Sequence, residues 1–285
     1  MPTTPMSTYQ GQKVALLTQH GKETVIASVL SPVLGCVIEH VTGFDTDQLG
    51  TFTRELPRPG TQLEAARLKA RKGMELSGLS IGMASEGSFG PDPFTAMFPW
   101  NIEMLVWIDD SQGLEVMGMA QGAVRSGHVQ TGSWSEVESF ALGEDFPRHQ
   151  LVLRPQGQDD GRIYKGIDNW VQLKSCFDNC VAQSANGQVF VETDLRAFAN
   201  PTRMQNIEKA ARDLLQRLEF CCPACSAPGY GVTGRQPGLP CSACGQPTSS
   251  YLNTVWACVR CQHTAVQPRT DRVTADPKDC ARCNP

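Results

Sequence analysis

Residues 221–283 read CCPACSAPGYGVTGRQPGLPCSACGQPTSSYLNTVWACVRCQHTAVQPRTDRVTADPKDCARC. Nine of the chain's 12 cysteines lie here, and eight of them form four C-x2-C pairs: Cys222/Cys225, Cys241/Cys244, Cys258/Cys261 and Cys280/Cys283. A C-x2-C turn sets two thiolates on one side of a tight loop, and two such turns complete a tetrahedral four-sulfur site. Four turns therefore predict two zinc sites with these eight cysteines as ligands. Nine of the residues from Pro223 to Gly245 are Pro or Gly, and the stretch has almost no aliphatic core. Metal binding, which supplies folding free energy on the order of 10 kcal/mol, is then what holds it. Four thiolates on each ion leave no open position, so these zinc ions are structural and not catalytic.

The pairing of the knuckles has two readings. Gaps of 15 and 18 residues favour sequential pairing. Thr254–Ala257 before Cys258 and Thr264–Val266 after Cys261 read as a hairpin around a knuckle, a zinc-ribbon feature. That is also compatible with nesting, in which the two inner pairs share one ion and the two outer pairs the other. Cys221 is a spare neighbour of Cys222, and His263 is a substitute ligand that four complete pairs do not need. The segment carries six Lys and Arg against three Asp, a formal +3. Two Zn²⁺ with eight thiolates add about −4, which removes most of the electropositive case for binding nucleic acid. Tyr251 and Trp256 are the candidates for stacking on bases, and a docked protein is the other partner this segment would suit.

Upstream, only Cys36, Cys176 and Cys180 precede residue 221. The composition breaks near Phe220, which predicts an N-terminal domain over 1–220 and a double zinc ribbon over 221–285. A chain of 285 residues, 40% hydrophobic and 19% charged, is long enough for two domains and apolar enough for a core. Its net charge of −4 excludes a globally basic nucleic-acid coater. No apolar run approaches 18 residues, so no membrane span is expected. The polar start, Met1 to Lys13, lacks the apolar core of a secretory leader. Both point to the reducing cytoplasm, where clustered cysteines bind metal in preference to forming disulfides.

The first 220 residues read as α/β: a mixed sheet with flanking helices. Val14–Thr18 is a short buried strand, Val25, Ile26, Val29 and Leu30 recur at helical spacing, and Cys36–Ile38 is a second strand. This βαβ opening favours a parallel sheet. A polar loop spans residues 43–60, with Asp45 and Asp47 as minor candidate ligands. Thr61 is an N-cap, and Glu64 three residues on completes a capping box. Leu79–Ala84 reads as a strand followed by a loop over 85–91, and Ile102–Asp109 with Leu114–Ala123 as a hairpin. Ser135 and Glu138 predict the start of a short helix. Leu151–Leu153, Arg162–Ile167 and Val189–Val191 read as strands. One helix carries Cys176 and Cys180 as core thiols, and a last helix runs from Thr202 to about Leu218.

Polar clusters fall at strand ends and helix starts, where α/β folds place ligands. Lys22 sits at a helix start after a strand, where a helix N-terminus and an ammonium hold phosphate together. Glu64 and Lys69 lie on the capped helix. Glu86 stands between Ser85 and Gly87, in a position to hold Mg²⁺ or approach a phosphate. Arg196 and Arg203 flank Asn200–Pro201 and offer bidentate contacts to phosphate or carboxylate.

Two resemblances follow from these motifs. With GFDTDQLGTFTRE (43–55), ASEGSFGP (84–91), TDLRA (193–197), NPTRM (200–204) and an ending in Cys-Asn-Pro, the whole chain resembles a bacterial family of unknown function. The segment from 18 to 87 is similar to the inosine/xanthosine triphosphate pyrophosphatase family. That family opens with T-x-N-x-x-K, has a helix reading T-x-x-E-N-A-x-x-K-A, and follows it with T-G-L and A-D-D-S-G. Thr18–Lys22 is a version of the first motif one residue shorter. Thr61, Glu64, Ala66, Lys69 and Ala70 keep the second spacing, with Ala65 where Asn is usual. Ser77–Leu79 and Ala84–Gly87 echo the rest. The resemblance implies catalytic, metal-side Glu64 and Glu86, with phosphate ligands at Lys22 and Lys69. His20 in place of the Asn and Ser85-Glu86 in place of the paired acids are departures at the general-base position.

Two functions are consistent with these residues. One is a Mg²⁺-dependent hydrolase of a nucleotide or another phosphorylated small molecule. The other is a non-catalytic adaptor or regulator that docks a protein or nucleic acid through its ribbon.

Overall fold

The computed structural model describes residues 8–19, 21–44 and 60–285. His20, Asp45 and Asp47 lie outside them, as does the 43–60 loop apart from residues 43, 44 and 60. The chain divides into two compact units, residues 1–111 with 117–215, and residues 112–116 with 216–285.

The first unit opens with β1 (Lys13–Leu17), α1 (Lys22–Leu34), β2 (Val37–Val41), α2 (Gln62–Ser77), β3 (Ile81–Pro91), β4 (Pro99–Asp109) and β5 (Leu114–Ala123). These strands form one mixed sheet in the order β2-β1-β3-β4-β5. β1 runs parallel to both β2 and β3, and β4 returns antiparallel to β3. The chain leaves β1 to one side through α1 and returns to its other side through α2, so the order reverses between β1 and β3. In open α/β sheets such a reversal opens a crevice at the carboxyl ends of the strands. α2 begins at the expected capping box, with Thr61 and Glu64 bonded reciprocally. Its Ala66, Ala70 and Met74 pack on Ala84, Val106 and Ile108.

The expected loop at 85–91 is instead the second half of β3, registered residue for residue on β4 from Ile81 to Pro91. Its glycines read as turn formers, but Gly87 has another use. A methyl group there would press into the carboxylate of Glu103 and the guanidinium of Arg203.

A second sheet follows in the same unit, with β6 (His128–Thr131), α3 (Trp134–Gly143), β7 (Leu151–Arg154), β8 (Tyr164–Ile167), α4 (Trp170–Gln183) and β9 (Val189–Thr193). It is antiparallel, in the order β6-β9-β7-β8. β6 is not expected from the sequence, because its four residues HVQT carry no apolar alternation. α3 starts one turn earlier than Ser135 suggests, after Ser133. Leu173, Phe177 and Cys180 of α4 join Leu151, Leu153 and Val191 in one core. Cys180 and Cys176 are therefore packing thiols, and burial pushes the Cys180 thiol up to about 12. α5 (Pro201–Glu219) completes the unit, which ends within this helix.

The second unit contains an antiparallel meander of β10 (Gly231–Pro237), β11 (Tyr251–Ala257) and β12 (Thr264–Pro268). Its small core is Cys222, Tyr230 and Cys258, with Cys225 and Trp256 packed against them.

Candidate functional site

The eight knuckle cysteines gather into two groups of four: Cys222, Cys225, Cys258 and Cys261, and Cys241, Cys244, Cys280 and Cys283. Within each group every sulfur lies within 4.8 Å of the others. Cys222–Cys261, Cys225–Cys258 and Cys244–Cys280 are each 3.7 Å apart, and Cys241–Cys283 is 3.9 Å. Sulfurs bound 2.3 Å from a tetrahedral zinc stand about 3.8 Å apart, whereas a disulfide closes to about 2.05 Å. All 12 cysteines are free thiols. Amides from the knuckles turn toward sulfur, Ala224 N to Cys222 Sγ at 3.4 Å and Arg260 N to Cys258 Sγ at 3.3 Å. The two groups can each hold one zinc ion, and the donor set fits that ion.

The pairing is neither sequential nor nested. First joins third and second joins fourth, and the meander explains why. Each strand carries the chain from one end of the sheet to the other, so successive knuckles alternate ends. Sequential partners would sit across a seven-residue strand such as β10, about 23 Å at 3.3 Å per residue. The sequence shows the hairpin at Cys258/Cys261. It hides β10 behind the Gly- and Pro-rich composition of GVTGRQP.

Tyr251 and Trp256 are not open stacking platforms. The guanidinium groups of Arg235 and Arg269 lie 4.7 and 3.9 Å from the Tyr251 ring centre. Trp256 packs against Phe220 and Tyr230.

In the first unit, a polar cluster occupies the crevice between β1 and β3. β1 stops at Leu17 while β3 continues past it, so Ser85 and Glu86 overhang the end of β1. α1 starts beside them. Its N-cap is Gly21, with φ 68° and no side chain to cap the first-turn amides. Lys22 Nζ donates to the Ser85 carbonyl at 3.0 Å. Lys69 from α2 pairs with Glu86, whose side chain is 4% exposed. Arg203, from the first turn of α5, donates through Nε to Glu103 Oε1 on β4 at 2.7 Å, and both side chains are fully buried. Asn101 Nδ2 donates to the same carboxylate at 3.0 Å, and Asn206 Nδ2 donates to Asn101 Oδ1 at 3.2 Å. The cluster thus holds three cationic side chains against two carboxylates. Lys22 faces a neutral carbonyl, and burial with Arg203 nearby lowers its pKa to about 7.

Four of the six residues expected to act on a phosphorylated ligand meet here: Lys22, Lys69, Glu86 and Arg203. Glu64 and Arg196 do not. Glu64 accepts from the Thr61 amide at 2.7 Å, and this bond holds its carboxyl below the usual range. Its two roles in the sequence, cap and metal ligand, compete, and the structure uses it as the cap. Arg196 is held by Asp194 and lies over Phe198, 4.8 Å from the ring centre. Glu103 is a member that sequence reasoning missed. Its signal was available, because Asn101 and Glu103 are spaced by two in an apolar strand and so point to the same face.

The fold and these sites define a mixed α/β protein that carries a module of two four-cysteine sites. The chain belongs to the family described as Domain of unknown function (DUF6671), whose model matches residues 69–285, about three quarters of the chain. The matched region begins at Lys69, short of the whole-chain likeness read from the motifs. No curated protein matches the chain. The likeness to the pyrophosphatases is not shown. Among the described residues no helix is long and apolar enough to cross a membrane.

Proposed function

We propose that the α/β unit binds an anionic, phosphorylated small molecule in the crevice between β1 and β3, and that the cysteine module holds two structural zinc ions. The observation that carries the first part is the charge count of the buried cluster. Lys22, Lys69 and Arg203 outnumber Glu86 and Glu103, and among the described residues Lys22 bonds only to a backbone carbonyl. A buried excess cation must find an anion or lose its proton. A phosphate at the uncapped start of α1 would supply that anion, with the helix amides adding to the attraction.

Hydrolysis of the ligand with Mg²⁺ is the catalytic extension of this reading. It requires Glu86 to exchange Lys69 for the metal, and it takes no help from Glu64 in its capping role. Binding is therefore the function the geometry supports best. Thiolate sites and free thiols suit a reducing compartment such as the cytoplasm.

The expected test is a thermal shift with pyrophosphate. Zinc-loaded wild type gains several degrees at millimolar ligand, and folded Lys22→Met and Lys69→Met variants do not. An equal shift in all three proteins would remove these lysines from the site.

Docking of a protein through the cysteine module is the second reading. The closed four-thiolate geometry favours it over chemistry at the metal. Nucleic acid is the weaker partner, since Tyr251 is sandwiched and Trp256 packed. Salt-dependent retention on immobilised RNA or DNA would restore it.

A further inference from the structure

An apolar pocket of about 340 Å³ opens between α1 and α5, lined by Val25, Phe198, Pro201 and Met204, with Gln205 and Glu208 among its polar members. Its volume falls in the range of small-molecule sites. Its position ties it to the polar cluster. Val25 lies one helical turn beyond Lys22 on α1, and Met204 follows Arg203 on α5. The Phe198 side chain packs against Gly21, where a methyl group would sit 3.6 Å from Phe198 Cβ.

Phe198 is 46% exposed although it is a large aromatic residue beside a cavity. It is held in place from behind. Asp194 is fully buried, accepts from Arg196 Nε at 3.0 Å, and fixes the guanidinium that lies over the ring. A rigid, half-exposed aromatic face is a stacking surface for another flat ring. Gln205 and Glu208, one turn apart on α5, add an amide and a carboxylate at the same pocket. Such groups suit the donor and acceptor edge of a heterocycle.

We infer that this pocket receives the base of a purine or pyrimidine nucleotide whose phosphates lie at Lys22 and Lys69. The inference rests on the anion site proposed above and assigns a second subsite to it. Phe198 stacks on the base, Val25 and Met204 enclose it, and Gln205 reads its edge. Arg196 then acts as a positioning residue through Phe198, which gives it a part that its distance from the cluster would deny.

The test compares ligands of like charge with and without a ring. Binding of ATP, GTP and tripolyphosphate to the full zinc-loaded chain is measured by calorimetry, in wild type and in Phe198→Ala and Met204→Ala, each checked for folding by its thermal transition. Stacking on one aromatic face corresponds to about tenfold in affinity or more. The expected result is that at least one nucleotide binds about tenfold tighter than tripolyphosphate, that both variants erase this margin, and that tripolyphosphate binds all three proteins alike. Equal binding of nucleotides and tripolyphosphate by wild type overturns the base subsite and leaves the anion site standing. A nucleotide margin that survives both substitutions also overturns it. Failure of all three ligands to bind overturns both readings.

Discussion

Lys22 is the residue whose environment departs furthest from what its chemistry prefers. An ammonium group loses several kcal/mol on burial unless it is paired, and its neighbours Lys69 and Arg203 already have carboxylates of their own. The direction of its shift fixes a pH dependence. The folded pKa is depressed to about 7 from an ordinary value of 10.5, so the unfolded chain binds a proton that the native state refuses between those values. Stability contributed through Lys22 therefore rises with pH from about 7 to about 10.5 and is flat below. Lys22→Met should stabilise the ligand-free protein, with the gain larger at pH 7 than at pH 10. Urea midpoints of both proteins across this range measure it, and a gain independent of pH would place the lysine in a hydrated setting.

Gly87 is the counterpart on the backbone side. A Cβ there meets the Glu103 carboxylate and the Arg203 guanidinium, a fully buried pair that has no room to retreat. Overpacking of this kind typically costs about 1–3 kcal/mol. Gly87→Ala should therefore lose about 2 kcal/mol in chemical denaturation. A neutral result would mean that the Glu103–Arg203 pair can shift freely.

At the scale of elements, the interleaved pairing of the knuckles follows from strand direction. An antiparallel three-stranded meander sends odd-numbered turns to one end and even-numbered turns to the other. Cysteine spacing alone does not record this, because spacing measures contour length and not direction. The element that would have revealed it, β10, is written in glycine, proline and polar residues, and it pairs through two register irregularities. Native mass spectrometry of double variants distinguishes the arrangements. Cys222→Ser with Cys258→Ser removes two ligands from one site and should leave one zinc bound. Cys222→Ser with Cys241→Ser damages both sites and should lose both ions, whereas sequential pairing would give the reverse.

The helices are more legible than the strands. α2 carries an apolar stripe, a capping box and a terminal Gly78, and each survives in the structure. β3 reads as too short because Gly87 and Gly90 look locally like turn formers, while Gly87 is there for the close approach of β4 and α5. β6 escapes detection because a four-residue polar strand has no periodicity to find.

For the whole molecule, the chain divides into a metal-dependent segment and an α/β segment because one is rich in cysteine and poor in apolar residues while the other is the reverse. That contrast is visible in composition alone. The crevice is not. Lys22, Lys69, Glu86 and Arg203 are singled out by type and by position at element ends. Their meeting depends on the strand order β2-β1-β3-β4-β5, which brings residues from α1, α2, β3 and α5 together across 181 positions of chain. Glu64 and Arg196, chosen by the same local criteria, find other partners because a cap and an adjacent aspartate are closer.

The central claim is that Lys22 completes an anion site, and proton uptake on binding tests it most directly. Near pH 8 a lysine with a pKa of about 7 is mostly neutral, and a phosphate anion seated beside it would draw the proton back. Titration calorimetry with pyrophosphate in buffers of different ionisation enthalpy gives the protons taken up. The account predicts that wild type takes up about one proton more per bound pyrophosphate than Lys22→Met, with weaker binding in the variant. Equal uptake and equal affinity in the two proteins, or no binding by either, would contradict it.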